Sequence, residues 1–139
     1  MAEIKISELS IGDWVRYDRG TDVVQIMGIY VRNNQECVVM SDSYYPDGVI
    51  GFVEHIKPIP LTPEILEKNG FEKKNYDNGK MWDWWWDNVL VRKFADEDIY
   101  RFIVVFNSKH YTTMMVVGKH THQLQHALRL AGIEKEIEV

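Results

Sequence analysis

A proline-punctuated stretch near the middle of the chain places the tightest constraint on how this sequence can fold. Residues 58–71 read PIPLTPEILEKNGF and contain three of the chain's four prolines. Because residues that precede proline avoid helical backbone angles, segment 57–61 is predicted to be extended. Thr62 can cap a helix that begins with Pro63, and Gly70 can end it in the left-handed conformation. The stretch therefore predicts an extended strap followed by a short helix, which is too short to be stable unless it docks on the rest of the chain.

The segment before this stretch carries short apolar runs separated by turn residues. Gly28, inside the second run, is predicted to mark a bulge or a bend. Short strands at such spacing are typical of a small curled sheet or an SH3-like barrel, which we expect to span residues 1–60. The predicted strands are residues 14–17, 23–31, 36–40 and 49–53.

The segment after the strap, residues 61–139, is predicted to form an antiparallel β-meander packed by a C-terminal helix. Asn78-Gly79 predicts a tight hairpin, and residues 80–94 are predicted to form one long return strand. The final helix is predicted from an apolar stripe that recurs at helical spacing, with Thr121 as its N-cap. The alternating tail allows a short last strand. The chain as a whole is therefore predicted to be an α+β protein. The stripe consists of Leu124, Ala127, Leu128 and Ala131.

Composition and charge exclude several functional classes. The formal net charge is −5, which disfavours binding to double-stranded nucleic acid, because that binding needs clustered lysines and arginines. A single cysteine, Cys37, allows no internal disulfide and is expected to be a buried thiol in a reducing cytoplasm. No run is apolar enough to predict a signal peptide or a membrane span. The sequence predicts no cofactor, because it contains no phosphate-binding glycine loop, nucleophile elbow or paired cysteines.

Three phrases give the chain a resemblance to a known group of proteins. They are ISELSIGDWV at residues 6–15, PIPLTPEILEKNGF at 58–71, and HQLQHALRL at 122–130. In these phrases the chain resembles a family of small uncharacterised proteins of Bacteroidales-type gut bacteria, their phages and their mobile elements. The family usually has an aromatic residue or valine where this chain has Thr121. The resemblance implies a bacterial or phage-borne cytoplasmic protein, and it implies no activity.

The run Met81-Trp82-Asp83-Trp84-Trp85-Trp86-Asp87 is the first candidate site. On one continuous strand, Trp82, Trp84 and Trp86 share a face with Leu90, and we expect that face to pack beneath the final helix. Trp85 then lies on the other face between Asp83 and Asp87. An exposed indole between two carboxylates could stack on a base, a sugar or a cationic side chain, so Trp85, Asp83 and Asp87 are candidate binding residues.

The histidines at the start of the final helix are the second candidate site. His122 and His126 are four residues apart, a spacing that places both on one helix face and can hold zinc, and His120 lies two residues before them. The helix lacks the glutamate that follows the first histidine of a metalloprotease motif. A structural role for the three histidines is therefore preferred to a metal site.

Three functions follow from these candidates. The leading hypothesis is a non-enzymatic binding or adaptor protein whose partner is another protein, since the chain is acidic. The first alternative is a metal-dependent enzyme that uses the histidine cluster. The second alternative is a single-stranded nucleic-acid binder that uses exposed aromatic residues. These aromatic residues are Trp14, Tyr17, Tyr44, Tyr45 and Trp85.

Overall fold

The computed structural model describes most of the chain as two compact units, Met1–Ile59 and Pro60–Val139. Each unit contains one five-stranded antiparallel sheet, and the C-terminal unit also contains the longer helix. The predicted α+β class is confirmed. The candidate residue Tyr44, and Asn78 of the predicted Asn78-Gly79 hairpin, lie outside the described residues. The described residues are 4–18, 23–42, 45–76, 79–107 and 112–139.

The sheet of the N-terminal unit has the strand order β4-β3-β2-β1-β5. Asn33 and Asn34 take positive φ angles of 52° and 62° in the hairpin between β2 and β3. The register of β2 against β3 shifts between Ile26 and Gly28, so the predicted bulge is confirmed. Among the described residues no ladder joins β4 to β5, so the sheet is open. Its strands are β1 (Trp14–Tyr17), β2 (Val23–Arg32), β3 (Gln35–Ser41), β4 (Val49–Phe52) and β5 (Ile56–Lys57).

The core of the N-terminal unit lies on one face of this sheet. A 3₁₀ turn at Val53–His55 connects β4 to β5, and another at Ile6–Glu8 precedes β1. The strap begins as a strand, because Ile56 and Lys57 pair with β1. A Cβ at Gly51 would lie 2.5 Å from Cε of Met40 and 2.9 Å from the ring of Tyr17, so a side chain there would require both of these side chains to shift. The buried core residues are Ile4, Leu9, Val15, Val24, Ile26, Val38, Met40, Val53 and Ile56.

The sheet of the C-terminal unit is a meander in which each strand pairs with the next one along the chain. Helix α1 precedes the sheet and helix α2 follows it. The strap enters this unit at Pro60, which forms a bridge with His120. The elements are α1 (Pro63–Lys68), β6 (Glu72–Tyr76), β7 (Met81–Trp86), β8 (Val89–Phe94), β9 (Tyr100–Asn107), β10 (Thr112–Gly118) and α2 (Thr121–Leu130).

Both ends of α1 follow the prediction. The hydroxyl of Thr62 accepts a hydrogen bond of 3.2 Å from the backbone N–H of Ile65. Gly70 has a φ of +86°, and the N–H of Phe71 donates to the carbonyl of Leu66 at 3.0 Å. These contacts satisfy backbone groups that the ends of a helix leave unpaired.

The start of α2 differs from the prediction, because His120 rather than Thr121 is its N-cap. Oε1 of Gln123 accepts hydrogen bonds from the backbone N–H groups of Lys119 and His120, at 2.9 and 3.0 Å. A glutamine at the third helical position can reach back in this way, so it replaces the predicted hydroxyl cap. Thr121 is instead the first helical residue, and it is buried.

The C-terminal tail does not form the short last strand that its alternating charged and apolar residues would allow. It is held by two side-chain amides instead of by a ladder. Gln125 donates to the carbonyl of Lys135 at 2.8 Å and accepts from the N–H of Ile137. Asn69 exchanges hydrogen bonds of 2.7 and 2.8 Å with the backbone of Glu138. Ile137, only 1% exposed, is thereby fixed in the core.

The prediction of a single long strand over residues 80–94 is wrong. A two-residue turn, Asp87-Asn88, divides this segment into β7 and β8, with Trp86 paired to Val89. Asp87 has a φ of 49°, a conformation that aspartate tolerates better than most residues because its short polar side chain can bond locally. The turn reverses the chain. The residues after it therefore lie on the opposite face of the sheet from the one predicted for a continuous strand.

Candidate functional site

One face of the C-terminal sheet, here called the helix face, is the core of this unit. Trp84 and Phe102 are buried there together with Leu124 and Leu128 of α2. Trp82 and Trp86 are partly buried against the same cluster, so the predicted packing of these three tryptophans beneath the helix is confirmed. Lysine side chains lie over their rings, the closest being Lys135 over Trp86 at 4.3 Å. The role of the three rings is structural.

The strand partners predicted for these tryptophans are wrong. Trp84 lies opposite Val91, and Trp86 lies opposite Val89. Leu90, which was expected on the helix face, lies opposite Trp85 on the other face. Directly opposed residues of an antiparallel pair point to the same side of a sheet, so the turn at Asp87-Asn88 exchanges the two faces for β8.

The other side of the C-terminal sheet, here called the open face, carries an apolar row across four strands. Trp85 of β7 lies opposite Leu90 of β8, Leu90 lies opposite Ile103 of β9, and Ile103 lies opposite Met115 of β10. Trp85 and Ile103 are partly exposed, whereas Met115 is 60% exposed. Val117 on the same face is 50% exposed. Leu90 is only 5% exposed, so the apolar side chains most exposed to solvent on this side of the sheet are those of β10.

The two carboxylates expected to flank Trp85 have other positions. Asp83 is 1% exposed and forms a bidentate pair with Arg92, its cross-strand partner, at 2.8 and 2.9 Å. Both of its oxygens are therefore engaged within the protein. Asp87 is exposed, but it belongs to the turn rather than to the strand. Trp85 is therefore a candidate apolar contact residue, and the predicted indole between two available carboxylates is wrong.

A second arginine at the margin of the open face is also paired. Arg101 donates two hydrogen bonds to the carboxylate of Glu97, one of them at 3.0 Å. The backbone of the same turn is held by Lys93, which donates to the carbonyl of Glu97 at 2.7 Å. The acidic run at residues 96–98 is therefore an anchored turn. Hydrogen bonding to Arg101 lowers the pKa of Glu97 below its ordinary value of 4.5, and burial partly opposes that effect.

The Glu97–Arg101 pair predicts a pH-dependent contribution to stability. Because the pKa of Glu97 is lowered in the folded protein, its contribution is complete above the ordinary carboxylate pKa. The contribution is lost as the pH falls through the lowered value. We expect Glu97→Gln to reduce the unfolding midpoint in urea at neutral pH, and the difference from the unmodified protein to vanish in acid. The control is Asp98→Asn, an exposed change in the same turn, and a difference that persisted in acid would contradict the ionic explanation.

The three candidate histidines lie together at the start of α2. The rings of His120 and His122 are stacked with centroids 5.8 Å apart, and His126 meets His122 edge-on at 5.5 Å. His122 is 3% exposed, while the other two are partly buried. Within the part of the chain that the structure describes, no three His, Cys, Asp or Glu side chains are arranged to hold a metal ion. The cluster is therefore a ring stack at the helix N-terminus.

The described candidate residues of the N-terminal unit lie in β1 and in the segment between β3 and β4. Trp14 is partly exposed in β1, opposite Gln25. Tyr45 is 57% exposed, and its backbone N–H donates to Asp42 at 2.7 Å. Phe52, 40% exposed, borders a groove of about 570 Å³ between the β2–β3 hairpin and residues 4–7. Tyr17 of β1 packs against the core of this unit, and its ring meets that of His55 edge-on at 5.8 Å.

The open-face residues other than Trp85 were missed by the sequence analysis. The sequence of β9 places apolar residues at both sets of alternate positions, so alternation of polar and apolar residues could not show which side was covered. The same holds for β10, where Met114, Met115, Val116 and Val117 are all apolar, so the pattern does not show which side of the strand is covered.

Comparisons with known proteins give no identity for this chain. No family model, no curated protein and no solved structure matches it. Neither α-helix among the described residues combines the length and apolar character that crossing a bilayer requires. Function must therefore be inferred from the surfaces themselves.

Proposed function

We propose that this chain is a non-enzymatic binding or adaptor protein that contacts another protein through the open face of its C-terminal sheet. The observation that carries the proposal is the apolar row of Trp85, Leu90, Ile103 and Met115. Leu90 is buried, Trp85 and Ile103 are partly exposed and Met115 is exposed, so the row offers an apolar contact surface from Ile103 to Met115 with Trp85 on its other side. Exposed apolar patches mark interaction surfaces, and tryptophan is among the residues that contribute most at protein interfaces.

The charges around the row favour a protein partner over a polyanion. Arg92 and Arg101 are each in a bidentate pair with a carboxylate, so they add little net charge to the face. The chain as a whole carries −5, which opposes binding to phosphate backbones. An apolar centre bordered by neutralised charges fits a partner surface that is itself largely apolar.

The proposal is tested by capturing a partner protein from cells that carry the gene and measuring its affinity for this chain and for a variant. Trp85→Ala is expected to raise the dissociation constant for that partner at least 30-fold. This change corresponds to a loss of about 2 kcal/mol in binding free energy, as expected for a residue at the centre of an interface. Isothermal titration calorimetry with the purified partner measures the change directly. Circular dichroism establishes that the variant keeps its fold.

The matched control is Trp14→Ala, which removes a partly exposed indole from the N-terminal unit. This variant is expected to bind the partner as tightly as the unmodified protein does. The reverse pattern, with binding lost in Trp14→Ala and kept in Trp85→Ala, would move the interaction to the N-terminal unit and overturn the proposal.

Two alternative functions use other features. A metal-dependent activity would use His120, His122 and His126, whose rings contact one another, and elemental analysis of the purified protein would detect the metal. Single-strand binding would use the partly exposed ring of Trp85 for stacking, which would change tryptophan fluorescence on adding oligonucleotide at low salt. If the chain is an adaptor, we expect neither bound metal nor a change in fluorescence. A positive result in either measurement would favour the corresponding alternative.

We also propose that the N-terminal unit is an SH3-like barrel and that the chain is a bacterial or phage-borne cytoplasmic protein of the family it resembles. The strand order, with β1 between β5 and β2, supports the first proposal. The 3₁₀ turn between β4 and β5 and the bulge in β2 support it further, because both help such a sheet to curl. The second proposal rests on the three shared phrases alone. A fold of this kind would not specify a function.

A further inference from the structure

The two sheets have four edge strands, and β10 differs from the other three. In the N-terminal unit the edges are β4, with four residues, and β5, with two. In the C-terminal unit the edge strand β6 begins with Glu72, Lys73 and Lys74. Short length and charged side chains are the usual protections of a strand edge against pairing with another chain.

Strand β10 has neither protection along most of its length. Its seven residues read TTMMVVG, with no charged residue and no proline. A register shift between Thr112 and Thr113 interrupts the ladder to β9 at one end, and the remainder up to Gly118 is regular. Among the described residues its only ladder is to β9, and the bridge of the strap to His120 lies beyond its end. The strand therefore presents a regular, uncharged edge.

We propose that β10 pairs with β10 of a second copy of this chain, antiparallel about a two-fold axis, which joins the two C-terminal sheets. An axis at Met115 places Met115 opposite its own copy and Met114 opposite Val116. The next register that keeps each residue on its own face is centred on Val116 and places Met115 opposite Val117. Neither register brings a charged residue of β10 opposite another, so the strand is complementary to itself.

This pairing has a consequence for the open face. Met115 ends the apolar row, so an axis at this residue makes the row of one copy continue into the row of the other. Met115 is 60% exposed and Val117 is 50% exposed, and both are shielded from water by the pairing. The inference concerns the sheet edge and stands independently of the partner proposed for the open face.

The test uses charge at the centre of the proposed pairing. Sedimentation velocity of the full chain over a range of concentrations is expected to show a monomer–dimer equilibrium. Met115→Lys and Met115→Glu each place like charges directly opposite one another when the axis lies at Met115, and diagonally across the pairing when it lies at Val116. In either register, each variant alone is expected to sediment as a monomer. An equimolar mixture of the two is expected to restore the dimer, because opposite charges then face each other.

The mixture distinguishes the proposal from simple damage to the fold, since two misfolded variants would not rescue each other. The control is Val31→Lys, which adds the same charge at a residue that is 64% exposed in the N-terminal unit, and it is expected to dimerise normally. Three results would overturn the proposal. They are an unmodified protein that stays monomeric at every concentration, a Met115→Lys variant that still dimerises, or a mixture that remains monomeric.

Discussion

Leu128→Ala is expected to destabilise the C-terminal unit by about 3 kcal/mol, within the range found for leucine truncation in protein cores. The side chain of Leu128 is fully buried, and it packs with Trp84 and Phe102 between α2 and the sheet. Its removal leaves a cavity that the surrounding rings cannot fill without moving. Four of the chain's five tryptophans lie in this unit, so urea unfolding followed by tryptophan fluorescence measures the effect.

The matched control for this change lies two residues along the same helix. Leu130 is 75% exposed, so Leu130→Ala is expected to change the free energy of unfolding by no more than about 0.5 kcal/mol. Equal effects at the two positions would contradict the assignment of the helix face as the core.

Arg92→Met is expected to destabilise the same unit by about 2–3 kcal/mol. The change leaves the carboxylate of Asp83, which is 1% exposed, without the bidentate donor that compensates its burial. The estimate lies below the usual range for a broken buried pair, because the side chain of Arg92 is itself 30% exposed and water screens part of the interaction. Urea unfolding at neutral pH measures this loss as well.

The control for the buried pair is Arg101→Met, which breaks a pair whose carboxylate, that of Glu97, is 33% exposed. Its cost is expected to be clearly smaller than that of Arg92→Met, because water screens a pair near the surface. The double change Asp83→Leu with Arg92→Met is expected to recover much of the lost stability, because no uncompensated charge then remains buried. A double variant no more stable than Arg92→Met would argue that the side chain of Arg92 acts mainly through packing.

The caps of α1 and the bulge at Gly28 could be predicted because each depends on residues close together in the sequence. Thr62, Pro63 and Gly70 specify a helix start and end whatever surrounds them. The apolar stripe of α2 and the α+β class follow from periodicity in the same way. Local chemistry was sufficient for these features.

The face of the sheet on which each residue of β8 lies could not be predicted, because it depends on a turn that contains no glycine or proline. Asp87-Asn88 reverses the chain within a run of aromatic and aliphatic residues that reads as one strand. The burial of Asp83 likewise depends on Arg92, nine residues away across the new hairpin. The side chain of Asn69 holds the C-terminal tail by a hydrogen bond to Glu138, which is 69 positions away. Sequence pattern carries no information about a contact at that separation.

The central claim is that the open face of the C-terminal sheet contacts another protein. A photo-crosslinking amino acid in place of Trp85 tests this most directly, with the same substitution at Trp82 on the helix face as the control. In cells that carry the gene, we predict an adduct with another protein from position 85 and none from position 82. An adduct from position 82, together with none from position 85, would contradict the account.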